Sequence, residues 1–519
     1  MIATAPRWPL SPASQRPENA SVARDDTAGR GPRAQWLWRY SDVVVHLVIT
    51  SLVAMIWSST EDPVLTLYLG GCLVGPTYLG LMAFEMKRAP TMISPLSFYF
   101  LWYSIGLGPA AISIAGRLAN REVIRLSSFE IPPTELVSGY LLFLVGSVAF
   151  HFGIQTIRPP TRQTTDTSPL SNSGSRRYRI LLVMIWASGV LSRLFGNDMT
   201  MAGAIFGILS WASNASLCAY CLSTSSTKPR LSWAVLIAGC LIEFACNLRS
   251  FSKAYIMYSF VPIIWTLVYF RSYRKWLFPM GLGLATFYLF IVAPVVTSAR
   301  DERRWEEADT TVAVLLRVFE RYKVAETEAE HQVEQFFERQ FEPIPLAFIH
   351  AEVDRYGLRH GETMEYLAYA FIPRLFWPGK PWVTRGAWFT VYLGQASNEE
   401  SATTATGMGA AGELYWNFGL WGVIIGMTVV GSLVGVLWRI AGPMPQLDPL
   451  RMLLYFTAII QVVSNDQAGV STVAIVHRIL VLGSLIWFWD RSTRQRNVER
   501  RRKLVGSSLV GIEPGKSLA

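Results

Sequence analysis

Long apolar stretches, separated by short polar segments, recur along most of this chain. An apolar helix of roughly 17–25 residues crosses a lipid bilayer, and about twelve stretches approach that length, the eleventh being short. The pattern predicts an all-α, polytopic integral membrane protein with about 12 transmembrane helices. The predicted spans fall near residues 42–58, 64–84, 95–115, 134–156, 179–196, 201–223, 231–248, 255–271, 275–297, 412–438, 452–465 and 470–489.

The basic residues between these spans predict which side of the membrane each loop faces. Cytoplasmic loops of membrane proteins are enriched in Lys and Arg. Here Lys and Arg concentrate in alternate loops, whereas the intervening segments 59–62 and 196–200 contain neither. With the basic loops inside, both termini are predicted to be cytoplasmic. The loop after the seventh span departs from this rule, because it carries Arg249 and Lys253 on the outer side.

Polarity divides the chain into five regions. Residues 1–40, rich in Pro, Arg, Ser and Ala, are predicted to form a disordered cytoplasmic tail, and residues 491–519 a second, basic tail. Residues 41–297 hold the first nine predicted spans, and residues 412–490 hold the last three. Residues 298–411 are therefore predicted to be one large loop on the outer side. Loops of that length are uncommon unless they are functional.

Parts of this outer loop are apolar in a helical pattern. Leu315, Leu316 and Phe319 occur at helical spacing beside charged residues, which is typical of an amphipathic helix lying on a membrane surface. Segments 344–351 and 364–371 are apolar enough to return toward the bilayer, where surrounding protein can bury their backbone. The loop is therefore predicted to contain amphipathic or re-entrant helices.

Composition supports a membrane location and argues against several soluble classes. The 519 residues are 51% hydrophobic and 16% charged, whereas soluble domains carry roughly 25% charged residues. The net charge of +10 is typical of loops beside anionic lipid. The sequence contains no P-loop, GxSxG or HExxH motif. Cys218 and Cys221 form a CxxC without a second pair, so we expect packing cysteines, no metal and no cofactor.

Cationic residues gather on the predicted outer side of the membrane. Ionisable residues near membrane segments usually face a partner or a cavity and mark function. Unpaired cations at a bilayer surface would attract phosphate, which Arg binds in a bidentate manner. The residues concerned are Arg193, Arg249, Lys253, Arg300, Arg374 and Lys380.

Structural ion pairs are the alternative explanation for charges within the spans. Glu243 lies near the outer end of the seventh predicted span, close to Arg249 in the loop that follows, and Asp466 precedes the helix that carries Arg478. Such pairs allow membrane proteins to tolerate buried charge. The sequence leaves open whether Arg478 binds substrate or an acidic neighbour.

Residues 371–381 form the most distinctive segment of the outer loop. Arg374 and Lys380 lie there among three prolines and bulky aromatic residues. Proline fixes φ and restricts the preceding residue, so the segment is predicted to be extended and stiff. Such a loop suits phosphate binding, and an interfacial anchor with snorkelling cations is the alternative. His350 and His360, in the same loop, are the histidines considered for proton transfer.

Three stretches together resemble the Wzy-type oligosaccharide repeat-unit polymerases of bacterial O-antigen and exopolysaccharide pathways. The first is 248–250, after the seventh span. The second runs from Tyr356 through 371–381, where the order of Pro-Arg, aromatic, Trp-Pro and Lys-Pro is similar to that family. The third is 412–419, at the start of the tenth span. The resemblance covers roughly residues 40–490 and is most specific in the second stretch.

The resemblance implies a metal-independent, membrane-embedded glycosyltransferase of the GT-C type in the bacterial inner membrane. It would transfer a glycan from undecaprenyl diphosphate to a lipid-linked acceptor repeat unit at the periplasmic face. A chain-length regulator is the partner to expect, and nucleic acid is not. The catalytic candidates are Arg249, Arg300, Arg374, Lys380 and Glu413, and the substrate-binding candidates are Arg193, Lys253, Tyr415, Trp416 and Arg478.

Several of these roles have alternatives. Glu413, the candidate base, can equally be an acidic residue favoured near a helix N-terminus. Tyr415 and Trp416 can stack on sugar rings or form an interfacial aromatic belt. An O-antigen ligase is the nearest alternative function, since either loop histidine suits that chemistry. A lipid-linked oligosaccharide flippase is another, although the two halves of the chain show no similarity of the kind that marks many transporters.

Overall fold

The computed structural model describes the greater part of the chain. Gaps fall mainly in the predicted tails and in the outer loop. The described residues are 32–88, 94–159, 176–195, 213–222, 224, 229–248, 253–269, 276–292, 294–296, 336–370, 372, 377, 379–380, 385–399, 402, 406–442, 449–462 and 467–510.

Helices make up nearly all of the described structure. A small antiparallel hairpin, which the all-α prediction did not include, pairs β1 (Arg125–Leu126) with β2 (Phe129–Glu130). Residues 213–222 are also helical. The remaining helices are α1 (Pro32–Thr60), α2 (Pro63–Arg88), α3 (Pro95–Leu107), α4 (Pro109–Ala119), α5 (Pro133–Ile157), α6 (Arg176–Phe195), α7 (Pro229–Leu248), α8 (Lys253–Tyr258), α9 (Val261–Tyr269), α10 (Leu277–Phe287, continued by a π turn, Tyr288–Val292), α11 (Pro343–Tyr356), α12 (Leu367–Ala370), α13 (Arg385–Tyr392), α14 (Gly409–Ala441), α15 (Pro449–Val462) and α16 (Ala468–Val510).

Within the described residues, seven helical segments are long and apolar enough to cross a membrane. Three shorter apolar helices, Arg179–Leu191, Ile256–Val268 and Arg451–Val462, coincide with further predicted spans. A mostly helical membrane protein is therefore confirmed, while the full number of about 12 spans stays a prediction. The seven segments are Tyr40–Thr60, Pro63–Arg88, Pro95–Ala119, Pro133–Ile157, Arg230–Leu248, Gly409–Ala441 and Ala468–Phe488.

Proline and small polar residues define where several helices begin. Pro95 and Pro133 occupy first-turn positions, where the missing N–H costs nothing and φ is already helical. Ser94 caps α3 by accepting a hydrogen bond from Ser97 N at 3.0 Å. Asp62 caps α2 in the same way, accepting from Val64 N at 2.9 Å. Local sequence thus sets these boundaries to within a residue or two.

Glycines allow α5 and α14 to pack closely, and this contact is the centre of the bundle. Gly153 of α5 lies against the backbone of Thr428, and Gly431 of α14 lies against the backbone of Phe150. Small residues at such crossings let helix backbones approach in a membrane, where packing drives association. Gly146 lies against Val423 and Gly435 lies against Ile157 further along both helices, so the two helices run side by side in the same direction.

The bundle has two ends, which are named here by their residues. The Arg88 end contains Arg88, which contacts Asp42 and Glu85, and Arg158, which contacts the same Glu85. The Glu413 end contains Glu413 and the hairpin that precedes α5. At that end α11 packs against α5 and α14, with Ala347 close to Gly139.

Two helices extend into regions that were predicted to be tails. Helix α1 begins at Pro32, before the predicted boundary at residue 40. Helix α16 continues through its apolar part to Val510. The last part of α16 is rich in arginine, which favours helix while being too polar for a membrane core.

Candidate functional site

Helix α14 is broken near the Glu413 end of the bundle. Gly419 adopts a left-handed φ of 65° within the helix, a conformation that glycine adopts without steric cost. The break exposes carbonyls of the preceding turn, and the loop after α11 binds them. The N–H of Arg359 donates to Trp416 O at 2.9 Å, and the N–H of His360 donates to Asn417 O at 3.2 Å.

Asn417 fixes the same loop through its side chain. Its amide nitrogen donates to Thr363 Oγ1 at 2.6 Å, and its amide oxygen accepts from Gly361 N at 2.9 Å. The side chain of Asn417 is fully buried. Asn417 thus holds the loop on the broken helix, one helical turn after Glu413.

Glu413 is a fully buried carboxylate at the start of α14. One oxygen accepts from Gly469 N at 2.8 Å, and the other accepts from the Tyr366 hydroxyl at 3.4 Å. Gly469 lies in the first turn of α16, where backbone N–H groups have no partner within the helix. Glu413 therefore caps α16 across the bundle, which is a structural reason for a carboxylate here that the sequence did not reveal.

Tyr366 lies between this carboxylate and a cation. Its ring is buried, and the Arg385 guanidinium lies 4.5 Å from the ring centroid. Burial, followed by the charge of Glu413, raises the pKa of Tyr366. The hydroxyl consequently stays protonated near neutral pH and can donate to the carboxylate. Arg385 was not among the sequence-predicted site residues.

Aromatic rings and cations form a half-exposed surface above Tyr366, called here the Arg359–Arg385 surface. It consists of Arg359, Arg385, Trp388 and Tyr392, all partly exposed. The Arg359 guanidinium lies 5.8 Å from the Tyr392 ring centroid, and the Arg385 guanidinium lies 5.3 Å from the Trp388 ring centroid. Trp388 and Tyr392 stack with an interplanar angle of 24°. Such rings suit the apolar faces of sugars, and guanidinium groups suit phosphate.

Glu352 orients one ring of this surface. The Tyr392 hydroxyl donates to Glu352 Oε2 at 2.5 Å and accepts from Arg359 Nη2 at 3.2 Å. Burial and then the neighbouring carboxylate raise the pKa of Tyr392 to about 12. The ring is therefore fixed by hydrogen bonds on both sides, as expected for a preorganised binding platform.

His350 takes part in a cluster that sequence spacing could not show. Its Nδ1 lies 2.6 Å from Glu135 Oε2 and 3.6 Å from Asp354 Oδ2. The ligand atoms of these three residues lie within 4.8 Å of one another, a spacing that could hold a divalent cation. The direct contact between His350 and Glu135 also satisfies both groups without an ion. Tyr415 stacks on His350, with an interplanar angle of 11°.

A small internal cavity lies between α3, α5, α11, α14, α15 and α16, next to this site. Its volume is about 40 Å³, enough for a few waters but not for a sugar, since one water needs roughly 10–15 Å³ on this measure. Polar side chains in its wall include Tyr99, Ser147 and Glu342. The Glu342 carboxyl, which hydrogen-bonds to Tyr103 and Trp102, has its pKa raised to about 8 by burial.

Replacing Glu342 with Gln is expected to remove a pH dependence of stability. The folded-state pKa of about 8 lies above the ordinary 4.5, so the unfolded chain releases this proton first as the pH rises. The free energy of unfolding should therefore fall from about pH 4.5 to pH 8 and level off above that. In Glu342→Gln, thermal melting in detergent should match wild type near pH 4.5 and exceed it increasingly toward pH 8.

The exposed Glu365, on the surface of the loop, supplies the matched control. Glu365→Gln removes one carboxylate in the same way but at an exposed position, and it should not reproduce the gain in melting temperature toward pH 8. A difference in melting temperature between wild type and Glu342→Gln that stays the same from pH 4.5 to pH 8 would contradict the assignment of a raised pKa to Glu342.

The structure brings some predicted site residues together and leaves others apart. Lys380 Nζ donates to Ala370 O at 2.7 Å and to Ile372 O at 2.9 Å, so it closes the end of α12. Trp416 is fully buried beneath Tyr392, 5.1 Å between ring centroids, and so supports the Arg359–Arg385 surface from below. His360, with a left-handed φ of 51°, is exposed on the loop.

The other predicted residues lie on different helices or outside the described residues. Arg478 is partly buried within the membrane-spanning part of α16. Arg193 is in α6 and Lys253 begins α8, without described side chains. Three predicted cations and one proposed ion-pair partner lie outside the described residues: Arg249, Arg300, Arg374 and Asp466.

Apolar helices around a buried polar site define this chain as a helical membrane protein. The chain belongs to the family DUF8712, a domain of unknown function, which matches residues 138–465. The matched region includes α11, the broken α14 and the whole Arg359–Arg385 surface. No curated protein and no solved structure matches the chain.

Proposed function

We propose that this protein polymerises lipid-linked oligosaccharide repeat units at the periplasmic face of a bacterial inner membrane. The observation that carries the proposal is the Arg359–Arg385 surface at one end of an apolar helical bundle. It places stacked aromatic rings and two guanidinium groups above a buried Tyr366–Glu413 pair. A lipid-linked glycan presents sugar rings and a diphosphate at the same membrane depth, so one surface can bind both.

The reaction in this proposal is a glycosyl transfer between two lipid-linked glycans. A hydroxyl oxygen of the acceptor repeat attacks the anomeric carbon of the donor, and the bond from that carbon to the diphosphate oxygen breaks. The lipid diphosphate leaves with the bonding electrons, and the hydroxyl proton passes to the Tyr366–Glu413 pair. Fixed cations stabilise the negative charge that develops on the leaving diphosphate. Arg359 and Arg385 join Arg249, Arg300, Arg374 and Lys380 as candidates for that role.

The remaining features of the proposal follow from the resemblance described above. About 12 spans, a GT-C-like arrangement and cytoplasmic termini belong to it, with residues 298–411 outside. In that orientation the Glu413 end faces the periplasm and the Arg88 end faces the cytoplasm. Basic residues at the Arg88 end support this orientation, since cytoplasmic ends are enriched in Lys and Arg.

Gel analysis of polysaccharide from a strain lacking the protein tests the proposed function. Glycan limited to one repeat unit is the expected result. Full-length polymer left on the lipid carrier would overturn the proposal in favour of a ligase. Loss of all periplasmic repeat units would overturn it in favour of a flippase.

Arg374→Ala should reduce long-chain polymer at least tenfold without reducing the amount of protein in the membrane. The expected cause is loss of a fixed positive charge near the leaving diphosphate. Lys87→Ala, at the Arg88 end of the bundle on α2, is the control and should leave chain length unchanged. Normal chain length in Arg374→Ala would remove this residue from the proposed clamp.

A cysteine placed at residues 325–330 should react with a membrane-impermeant thiol reagent applied to the periplasmic side. This segment belongs to the predicted outer loop and precedes the described helix α11. A cysteine placed at 511–519 is the control, and it should be labelled only after the membrane is opened. The reverse pattern would invert the proposed topology.

A further inference from the structure

Two histidines that are far apart in the sequence meet inside the helical bundle. His46 of α1 and His151 of α5 are fully buried, and their Nδ1 atoms lie 3.4 Å apart. Both lie in segments apolar enough to span a membrane. Placing an ionisable side chain inside a membrane costs free energy, and such residues commonly mark ion or proton pathways.

Hydroxyl groups continue this contact toward the internal cavity. The Tyr78 hydroxyl lies 2.6 Å from His46 Nε2 and 2.9 Å from Ser147 Oγ. Ser147 Oγ is also hydrogen-bonded to the Tyr99 hydroxyl. Ser147 and Tyr99 both line the cavity that contains Glu342. The connected series therefore reaches a space that can hold water.

On the other side, the series reaches the charged Arg88 end. His151 Nε2 lies 3.4 Å from Asp42 Oδ2. Arg88 contacts Asp42 at 3.3 Å and Glu85 at 3.1 Å, and Arg158 contacts Glu85 at 3.0 Å. Gln155 donates to the same Asp42 oxygen. Two guanidinium groups thus face two carboxylates around the end of the series.

One assignment of protons satisfies every contact in the series. His151 donates from Nε2 to Asp42, His46 donates from Nδ1 to His151, and Tyr78 donates to His46 Nε2. Ser147 then donates to Tyr78, and Tyr99 donates to Ser147. Between the two ends, Ser147, Tyr78, His46 and His151 each accept one hydrogen bond and donate the next in the same direction, which is the arrangement required for proton hopping.

We propose that this series, called here the His46–His151 chain, conducts protons between the internal cavity and the Arg88 end of the bundle. A proton from cavity water enters at Ser147 or Tyr99, and each group passes its own proton onward until Asp42 is protonated. Asp42 then releases its proton to water at the Arg88 end, which regenerates the carboxylate. Only O–H and N–H bonds form and break. To return to the starting arrangement, the hydroxyl groups must rotate. Each imidazole must also return to its first tautomer, with the proton on Nδ1 of His46 and on Nε2 of His151.

Glu342 is placed to supply the cavity end of the His46–His151 chain. It lies in the wall of the same cavity and directly precedes the first turn of α11. Because burial raises its pKa to about 8, it carries a proton near neutral pH. The proposal does not depend on glycan chemistry, so it can stand or fall independently of the proposed function.

Proton flux through the purified full-length protein in liposomes tests the proposal. A pH-sensitive dye inside the vesicles reports acidification when a potassium gradient and valinomycin set an inside-negative potential. Wild-type vesicles should acidify faster than protein-free vesicles. Ser147→Ala should lower that excess rate at least tenfold, because it disconnects Tyr78 from the cavity. His151→Gln should do the same, since an amide does not exchange protons readily.

Two matched variants distinguish conduction from a general packing effect. Ser104→Ala removes a buried hydroxyl that donates only to Leu101 O in its own helix at 2.7 Å, and it should conduct like wild type. Tyr99→Phe should retain most of the flux, because Ser147 itself lines the cavity. Wild-type vesicles no more permeable than protein-free vesicles would overturn the proposal. So would full conduction in folded Ser147→Ala or folded His151→Gln.

Discussion

Glu413→Gln is expected to abolish polymer elongation while leaving the protein folded. The substitution removes the basic carboxylate but keeps an oxygen that can accept a hydrogen bond from Gly469 N. In the wild-type protein this nitrogen lies 2.8 Å from Glu413 Oε2. The Tyr366 hydroxyl also keeps a partner. Removing a general base typically lowers a rate by about 10²–10⁴-fold, and the proposed reaction has no other carboxylate paired with Tyr366.

The measurement is the chain length of polysaccharide in a deletion strain complemented with Glu413→Gln. Membrane abundance and thermal melting show whether the variant folds. Glu365→Gln, which changes an exposed carboxylate of the same loop, should restore full-length polymer. Full-length polymer from Glu413→Gln would reduce Glu413 to its structural role as the cap of α16.

Gly153→Leu is expected to prevent folding of the bundle. A Cβ at position 153 would overlap the carbonyl oxygen of Thr428 and lie 2.9 Å from Ser432 N. These atoms belong to the backbone of α14, which cannot move aside as a flexible side chain can. Overpacking of this kind costs about 1–3 kcal/mol or more, and here relief requires α5 and α14 to separate. We expect little folded protein by size-exclusion chromatography of detergent extracts.

Gly80→Leu provides the matched control on another membrane helix. A Cβ at position 80 of α2 would meet no atom within 4 Å other than those of its chain neighbours and of its own helix backbone. The variant should therefore be recovered in wild-type amount and melt at the wild-type temperature. If Gly153→Leu yields as much folded protein as wild type, α5 and α14 are not in close backbone contact.

Hydropathy predicted where the membrane helices lie because it reports the solvent that each segment meets. The span predicted near 134–156 is α5, Pro133–Ile157, and the span near 412–438 is α14, Gly409–Ala441. The break at Gly419 was not predicted, since glycine is common in membrane helices that remain regular. It became visible only through the loop residues that bind the exposed carbonyls.

The candidate site was predicted only in part, because its residues come from separate helices. Glu413 was predicted from its position at a helix start, whereas Tyr366 and Arg385 gave no signal of their own. Nothing in the sequence indicated that His46 and His151 meet, because 105 residues separate them, and the structure brings their side chains together. A single sequence shows the types of side chain available but not which helix faces meet.

The sequence by itself determined the helical, membrane-embedded character of the chain and the approximate ends of many helices. These properties follow from hydrophobic content, proline positions and capping residues, which act locally. Only the tertiary structure decided that Glu413 caps α16 beneath Tyr366, and that His46 and His151 join a chain of hydroxyl groups. Such contacts depend on how helices rotate and cross. That choice is made by close packing at residues such as Gly153, whose partners lie hundreds of residues away in the chain.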